Sequence, residues 1–277
     1  MKRAICFLLA LLLVIPMLAA GFGARGADPL TATAVVLMDA GTGEILYEKN
    51  PNKKMYPASI TKVMTGLLVM ENCTSHQIAT ASAGAVKIPK GYVHIALQAG
   101  DEITVKDAMY AMMLPSANDA ANVLAEHVGG SRKGFATMMN QRARELGATG
   151  TNFVNPSGMA DNNHYTTAYD MALITRAASE NSEFMNYFGA ASYTLPSFNS
   201  QTEETEIINY QYMLQEDKEQ YNPYVIGGKI GYTGQAKHTM TTVAKKDGRT
   251  LVCVVLGCTR EGKFTDTQTL LDYGFGL

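Results

Sequence analysis

The sequence predicts an α+β fold: an antiparallel sheet flanked by helices, with an all-helical subdomain inserted between the strands. Two observations carry that reading. β-rich runs lie near both ends of the chain and helical patterns lie between them. Near the C-terminus, Asp247-Gly248 separates two such runs, a strong short-range hairpin signal.

The elements follow in order. Met1-Lys2-Arg3 is basic and Ala4 to Ala20 is nearly all apolar, broken at Pro16. Small residues come next, with Ala19/Gly21 or Gly21/Gly23 as candidate pairs before a cut, so residues 1–23 read as an export signal. The run is slightly short for a membrane span, which needs ~20 apolar residues, and no later segment is long and apolar enough to replace it. Residues 28–277 then read as one domain. Thr33 to Met38 and Glu44 to Glu48 flank Gly41-Thr42-Gly43 and read as a hairpin. Pro57 leads into a helix whose apolar face is Val63, Met64, Leu67 and Leu68. Thr104 to Leu114 and Asp119 to His127 read as helices, broken at Pro115-Ser116. Phe135 to Leu146 and Ala168 to Ser179 are two more. Thr239 to Ala244 and Thr250 to Leu256 form the late hairpin, and Thr265 to Tyr273 a closing helix.

Composition narrows the function. A formal net charge of −2 gives no reason to expect nucleic acid as a partner. Of four cysteines, Cys6 lies in the signal. Cys73, Cys253 and Cys258 fit neither a Cys-x-x-Cys metal site nor a disulfide framework and read as buried thiols. The five histidines, His76, His94, His127, His164 and His238, are dispersed, with no His-Glu-x-x-His of a zinc peptidase. No Gly-x-Ser-x-Gly elbow of an α/β-hydrolase occurs. No cofactor is expected. Asn72-Cys73-Thr74 matches a glycosylation acceptor, a pattern frequent by chance. The many methionines are expected to fill the core.

The chemistry-bearing stretch is Ser59-Ile60-Thr61-Lys62. Residues three apart on a helix share a face, so the Ser59 hydroxyl and the Lys62 amine can meet near the helix start. A serine hydroxyl is a poor nucleophile until a base takes its proton. A lysine can be that base when burial or a second cation lowers its pKa. The alternative for Ser59 is N-capping, for which serine is well suited. Ser116-Ala117-Asn118 follows on what reads as a tight connection, where these residue types also simply favour turns. Lys229-Ile230-Gly231-Tyr232-Thr233 comes last.

Ser-x-x-Lys, Ser-x-Asn and Lys-x-Gly in this order resemble the motif set of penicillin-binding proteins and serine β-lactamases, most closely the D-alanyl-D-alanine carboxypeptidases. The resemblance runs from about Ala34 to the C-terminus. It includes Asp39-Ala40-Gly41-Thr42-Gly43-Glu44, Asn155-Pro156-Ser157-Gly158, His164-Tyr165-Thr166-Thr167-Ala168 and Leu271-Asp272-Tyr273-Gly274-Phe275. It implies a β-lactamase/transpeptidase-like fold with the site in a cleft between an α/β part and a helical part, and Lys229-Ile230-Gly231 on an edge strand facing Ser59. It implies that Ser59 is the nucleophile and Lys62 its base, that Ser116 passes a proton to the leaving amine, and that Asn118 positions Lys62 and the substrate. Lys229, Gly231, Tyr232 and Thr233 would bind substrate. Lys229 would hold its carboxylate, and the N–H groups of Ser59 and Tyr232 would form the oxyanion hole. The implied partners are a peptidoglycan pentapeptide and β-lactams as covalent inhibitors. The implied location is the bacterial extracytoplasmic space, with no clear membrane anchor after signal cleavage. Many relatives carry a C-terminal β domain and anchor helix, and neither is expected before Leu277.

Two departures stand out. Ile230 replaces the threonine or serine of the third motif, so a hydroxyl that helps bind the carboxylate is missing, a loss of ~1–2 kcal/mol for one hydrogen bond. Thr233 would share the strand face of Lys229 and so stand near it. Ala236-Lys237-His238 replaces a small Ala-Gly pair. The motifs do not separate carboxypeptidase from D,D-transpeptidase or endopeptidase, and Ile230 keeps open a low-turnover binding module. No Glu-x-x-Leu-Asn segment, as in one large β-lactamase class, is present.

Overall fold

The computed structural model describes residues 30–277, so residues 1–23, which read as an export signal, fall outside the described residues. The first hairpin is β1 (Ala34–Asp39) and β2 (Ile45–Lys49). A 3₁₀ turn at Ala58–Thr61 runs directly into α1 (Lys62–Asn72). The short strands β3 (Ile78–Thr80) and β4 (Glu102–Thr104) pair across a loop that returns the chain to the helical part. That part holds α2 (Val105–Met113), α3 (Asn118–Gly129), α4 (Arg132–Glu145), α5 (Ala168–Ser179) and α6 (Ser182–Phe188). A small ribbon of β5 (Ser192–Leu195) and β6 (Thr205–Ile208) leads back to the main sheet. β7 (Val225–Thr233), β8 (Lys237–Lys246), β9 (Arg249–Cys258) and α7 (Gly262–Phe275) complete the chain.

The main sheet is antiparallel in the order β2-β1-β9-β8-β7, so the two ends of the chain pair at its centre and β7 is an edge. β9 is buried almost throughout and reads as one continuous apolar run, because both faces of the sheet are covered. One face packs with the helical part around Val36, Ile60, Met64, Met109 and Phe184. The other packs with α7 around Val35, Cys253, Val255 and Leu271. Cys253 and Cys258 are buried free thiols, whereas Cys73 is only half-buried at the end of α1. Met64, Met109, Met112 and Met139 are fully buried in the core.

Side-chain caps set several boundaries. Thr104, Ser131, Thr167 and Asn181 each accept a backbone N–H from the first turn of α2, α4, α5 and α6. The capped Ser131 starts α4 three residues before the apolar run that signals it. The sequence does not announce α6 or the two ribbons, whose strands are three or four residues long. Segments that short hold too few repeats for a periodicity to register.

Candidate active site

Ser59 sits in the 3₁₀ turn, not in the α-helix that its sequence pattern suggests. With three residues per turn, side chains i and i+3 eclipse, and the Ser59 Oγ accepts a hydrogen bond from Lys62 Nζ at 3.1 Å. Neither the turn nor α1 has a side-chain cap, so the hydroxyl of Ser59 is not spent on a helix terminus. The turn is held from both sides. Thr239 on β8 donates to Pro57 O at 2.8 Å. A Cβ on Gly231 would lie 2.7 Å from the Ser59 N, and one on Gly158 would lie 1.8 Å from the Ala58 O. Glycine at these two positions is a requirement of backbone meeting backbone. Ala58 itself adopts a left-handed φ of 50°, strain of the kind that gathers at functional sites.

Lys62 is fully buried. Besides Ser59 it donates to Asn118 Oδ1 at 2.9 Å and to the Ser157 carbonyl at 2.8 Å. Its pKa is held well below the usual lysine range, chiefly by burial and then by the nearby Lys229, with Asp119 opposing. An amine so placed can give up its proton and accept the one that Ser59 must lose.

Asn118 is the first residue of α3, just beyond the connection where the sequence reading puts it. Its Nδ2 and its backbone N both donate to Val93 O, at 2.8 and 2.9 Å. The amide is thus fixed between Lys62 and a loop at the cleft wall. Asp119 holds the same loop by accepting from the N–H groups of Ile95 and Leu97. Ser116 lies in the connection itself with a left-handed φ of 71°, and its buried Oγ has no hydrogen-bond partner among the described residues. A hydroxyl left free in this way can relay a proton.

β7 brings the third motif. Its pairing with β8 is regular from Gly227 to Thr233, so Lys229, Gly231 and Thr233 share one face and Ile230 and Tyr232 the other. Lys229 is buried, and burial lowers its pKa to about 7. Thr233 accepts from Ala236 N at 3.0 Å, which leaves its hydroxyl proton free to donate. Ile230 packs against the α7-side cluster while lining the cleft. Tyr232 is 62% exposed, with its ring 4.5 Å from that of His238 at the cleft mouth. Ser59, Ser116, Asn118, Gly231 and Tyr232 line one cleft of about 1430 Å³, which continues past Ile230 toward α7.

The sequence gives no role to two groups that the fold brings here. One is the Ser157 carbonyl, an acceptor for Lys62. The other is His164, whose ring is 2.8 Å from Thr61 Oγ1 at Nε2 and accepts the Val154 N–H at Nδ1. That second bond leaves the proton on Nε2. Burial pushes the ring down to about 4, with Asp161 opposing and Lys62 assisting. Both residues lie in stretches singled out by family resemblance, but a main-chain acceptor and a buried imidazole leave no mark of their role in residue type.

Comparison with known proteins identifies the family. A model of the D-alanyl-D-alanine carboxypeptidase family matches residues 23–260. The chain belongs to this family. It is 34% identical over 255 residues to the D-alanyl-D-alanine carboxypeptidase DacF of Bacillus subtilis, covering 88% of this chain and 62% of that protein. It is 32% identical over 248 residues to DacB2 of Mycobacterium tuberculosis, covering 87% and 81%. Among solved structures, the D-alanyl-D-alanine carboxypeptidase of M. tuberculosis H37Rv superposes with a TM-score of 0.81 at 29% identity, covering 91% of this chain and 95% of that one. A serine-to-alanine mutant of the Streptomyces K15 DD-transpeptidase gives 0.83 at 27% identity, covering 91% and 100%. The penicillin-binding-protein fold expected from the sequence is therefore the fold of this carboxypeptidase family member. The chain spans just under two thirds of the Bacillus relative.

Proposed function

We propose that the protein is a serine-type D-alanyl-D-alanine carboxypeptidase acting on peptidoglycan stem peptides outside the cytoplasm. The observation that carries this is the buried Lys62 amine, bonded to Ser59 Oγ at 3.1 Å and held below its ordinary pKa. Ser59 attacks the carbonyl carbon of the penultimate D-alanine and Lys62 takes its proton. The oxyanion rests on the N–H groups of Ser59 and Tyr232, each such donor being worth on the order of 3 kcal/mol. Ser116 passes a proton to the departing D-alanine nitrogen as the C–N bond breaks. Asn118 holds Lys62 in register, and Lys229 with Thr233 receives the terminal carboxylate. Water then attacks the ester carbonyl, giving one proton to the neutral Lys62 amine, and Lys62 passes it to Ser59 Oγ as the C–O bond breaks, which frees the shortened peptide and restores the serine. A β-lactam acylates Ser59 by the same route.

The test is a fluorescent penicillin on parent and Ser59→Ala protein. The parent labels covalently and the variant does not, while its unfolding midpoint stays near that of the parent. Labelling of a well-folded Ser59→Ala protein would remove Ser59 as the nucleophile. The likeness to a DD-transpeptidase supports a second reading, in which an amine rather than water takes the acyl group. Incubating a defined pentapeptide with and without an amine acceptor separates the two: free D-alanine with unligated tetrapeptide marks the carboxypeptidase, and a new amide marks the transpeptidase. Labelling without either product would mark a low-turnover binding module.

A further inference from the structure

The segment between β6 and β7, residues 209–224, has no regular structure apart from a 3₁₀ turn at Tyr212–Leu214. Connections of that length inside a compact domain are uncommon unless they are functional or disordered. This one is pinned by buried amides. Asn209 Nδ2 donates to Ala190 O at 2.9 Å, and Gln211 Nε2 to Thr242 Oγ1 at 3.0 Å. Asn222 Nδ2 donates to Gln268 Oε1 on α7 at 2.9 Å, and its Oδ1 accepts the Tyr224 N–H at 2.8 Å. A rigid frame thus presents Tyr210, Tyr221 and Tyr224 to solvent, exposed by 38%, 38% and 39%, along the same cleft that opens at Ser59. The facing wall is α7, with Phe264, Lys263 and Gln268.

The cleft is larger than the reaction needs. Pockets of about 300–1,000 Å³ enclose a drug-sized molecule, and about 1430 Å³ is far more than a terminal dipeptide fills. An extended peptide has its own surface here, the free N–H and C=O groups of edge strand β7. The tyrosines offer something different: flat, electron-rich faces with a hydroxyl at the rim, although Lys246 Nζ, 4.8 Å from the Tyr224 centroid, already covers one face of that ring. A pyranose ring is complementary to that, with C–H groups on one face and hydroxyl or acetamido groups around its edge.

We propose that Tyr210, Tyr221 and Tyr224 form a saccharide subsite that holds the amino-sugar part of the substrate while its acyl-D-Ala-D-Ala end lies at Ser59. The proposal rests on the D,D-peptidase reading and names what that enzyme prefers. A pentapeptide joined to an N-acetylated disaccharide is a better substrate than the same pentapeptide alone.

The decisive measurement is the ratio of kcat/KM on disaccharide-pentapeptide to that on free pentapeptide. It is taken for the parent and for the triple variant Tyr210→Ala/Tyr221→Ala/Tyr224→Ala. The parent ratio is expected to be about tenfold, the factor that one or two aromatic contacts supply, and to fall to about one in the variant. A parent ratio near one overturns the proposal. So does a variant that loses equally on both substrates, which would make the tyrosines a peptide platform. Penicillin acylation of the variant reports its folding. Calorimetric titration with the peptide-free disaccharide keeps the subsite separate from the reaction. Binding by the parent and none by the variant upholds the subsite even if neither peptide is cleaved, and absence of binding by the parent sinks it.

Discussion

At Lys62, three acceptors and a neighbouring cation converge on one amine. Arginine would keep the charge but cannot release a proton at working pH. Lys62→Arg is therefore expected to lower the penicillin acylation rate at least a hundredfold, the lower end of what a general base contributes; a near-parental rate would make Lys62 an electrostatic partner only. The pH profile follows from the two lysines. In the proposed mechanism Lys62 works as a base when neutral, so activity should rise as pH climbs through its depressed pKa. In the same mechanism Lys229 receives the carboxylate only when charged, so activity on acyl-D-Ala-D-Ala should fall as pH climbs through about 7. The expected profile of kcat/KM is a bell, and Lys229→Arg should move its falling limb upward by several pH units, because arginine stays charged. A falling limb that stays in place would assign it to another group. Ile230 is the other residue at which a single atom matters. It lines the cleft but has no donor, so Ile230→Thr is expected to raise kcat/KM on acyl-D-Ala-D-Ala about tenfold, the worth of one hydrogen bond to a charged group. The gain should shrink on a substrate with an amidated C-terminus. Unchanged efficiency would mean that Thr233 already does this job.

The element that decides the site is the short turn before α1. A 3₁₀ turn eclipses Ser59 and Lys62, where an α-helix would offset them by part of a turn. It keeps that form because segments distant in the chain close on it: β7 at Gly231, β8 at Thr239, and the loop carrying Ser157 and Gly158. Gly158 has a φ of 80° and no room for a Cβ. Gly158→Ala must either push the turn aside or withdraw the Ser157 carbonyl from Lys62. The expected result is a loss of more than about 1 kcal/mol in urea unfolding together with slower penicillin acylation. Acylation at the parental rate in this variant would show that the Ser157 carbonyl does not help set the amine. The Ser-x-x-Lys spacing was visible in the sequence, but the turn type was not, since three-residue spacing suits both helices.

For the whole molecule, a broad apolar core joins the sheet to the helical part, and His164 is buried behind the Ser59 turn, its ring 2.8 Å from Thr61 Oγ1. Its folded pKa of about 4 is below the ordinary 6.5 of the unfolded chain. Between those values the unfolded state binds more protons, so stability is complete above about 6.5 and is lost as pH falls toward 4. From pH 6.5 to 5 the loss attributable to His164 is about 1.5 kcal/mol. Urea unfolding at the two pH values should show it in the parent, and His164→Gln should lack that part of the slope even if it is less stable throughout. An equal slope in both would place the acid sensitivity elsewhere. By itself the sequence determined the fold class, the first and last hairpins, most of the helices, and the three motifs that meet at the cleft. Alternation, apolar spacing, turn residues and short motifs are local properties, written within a few residues of one another. Only the tertiary structure decided that Asn118 begins a helix, that Ser116 Oγ has no partner among the described residues, that Ile230 packs on the α7 side, and that the Ser157 carbonyl and His164 lie beside Lys62 and the Ser59 turn. Those roles arise from contacts between segments far apart in the chain, most of them 50 residues or more. Burial and main-chain direction set them, and neither is encoded by residue type at a single position.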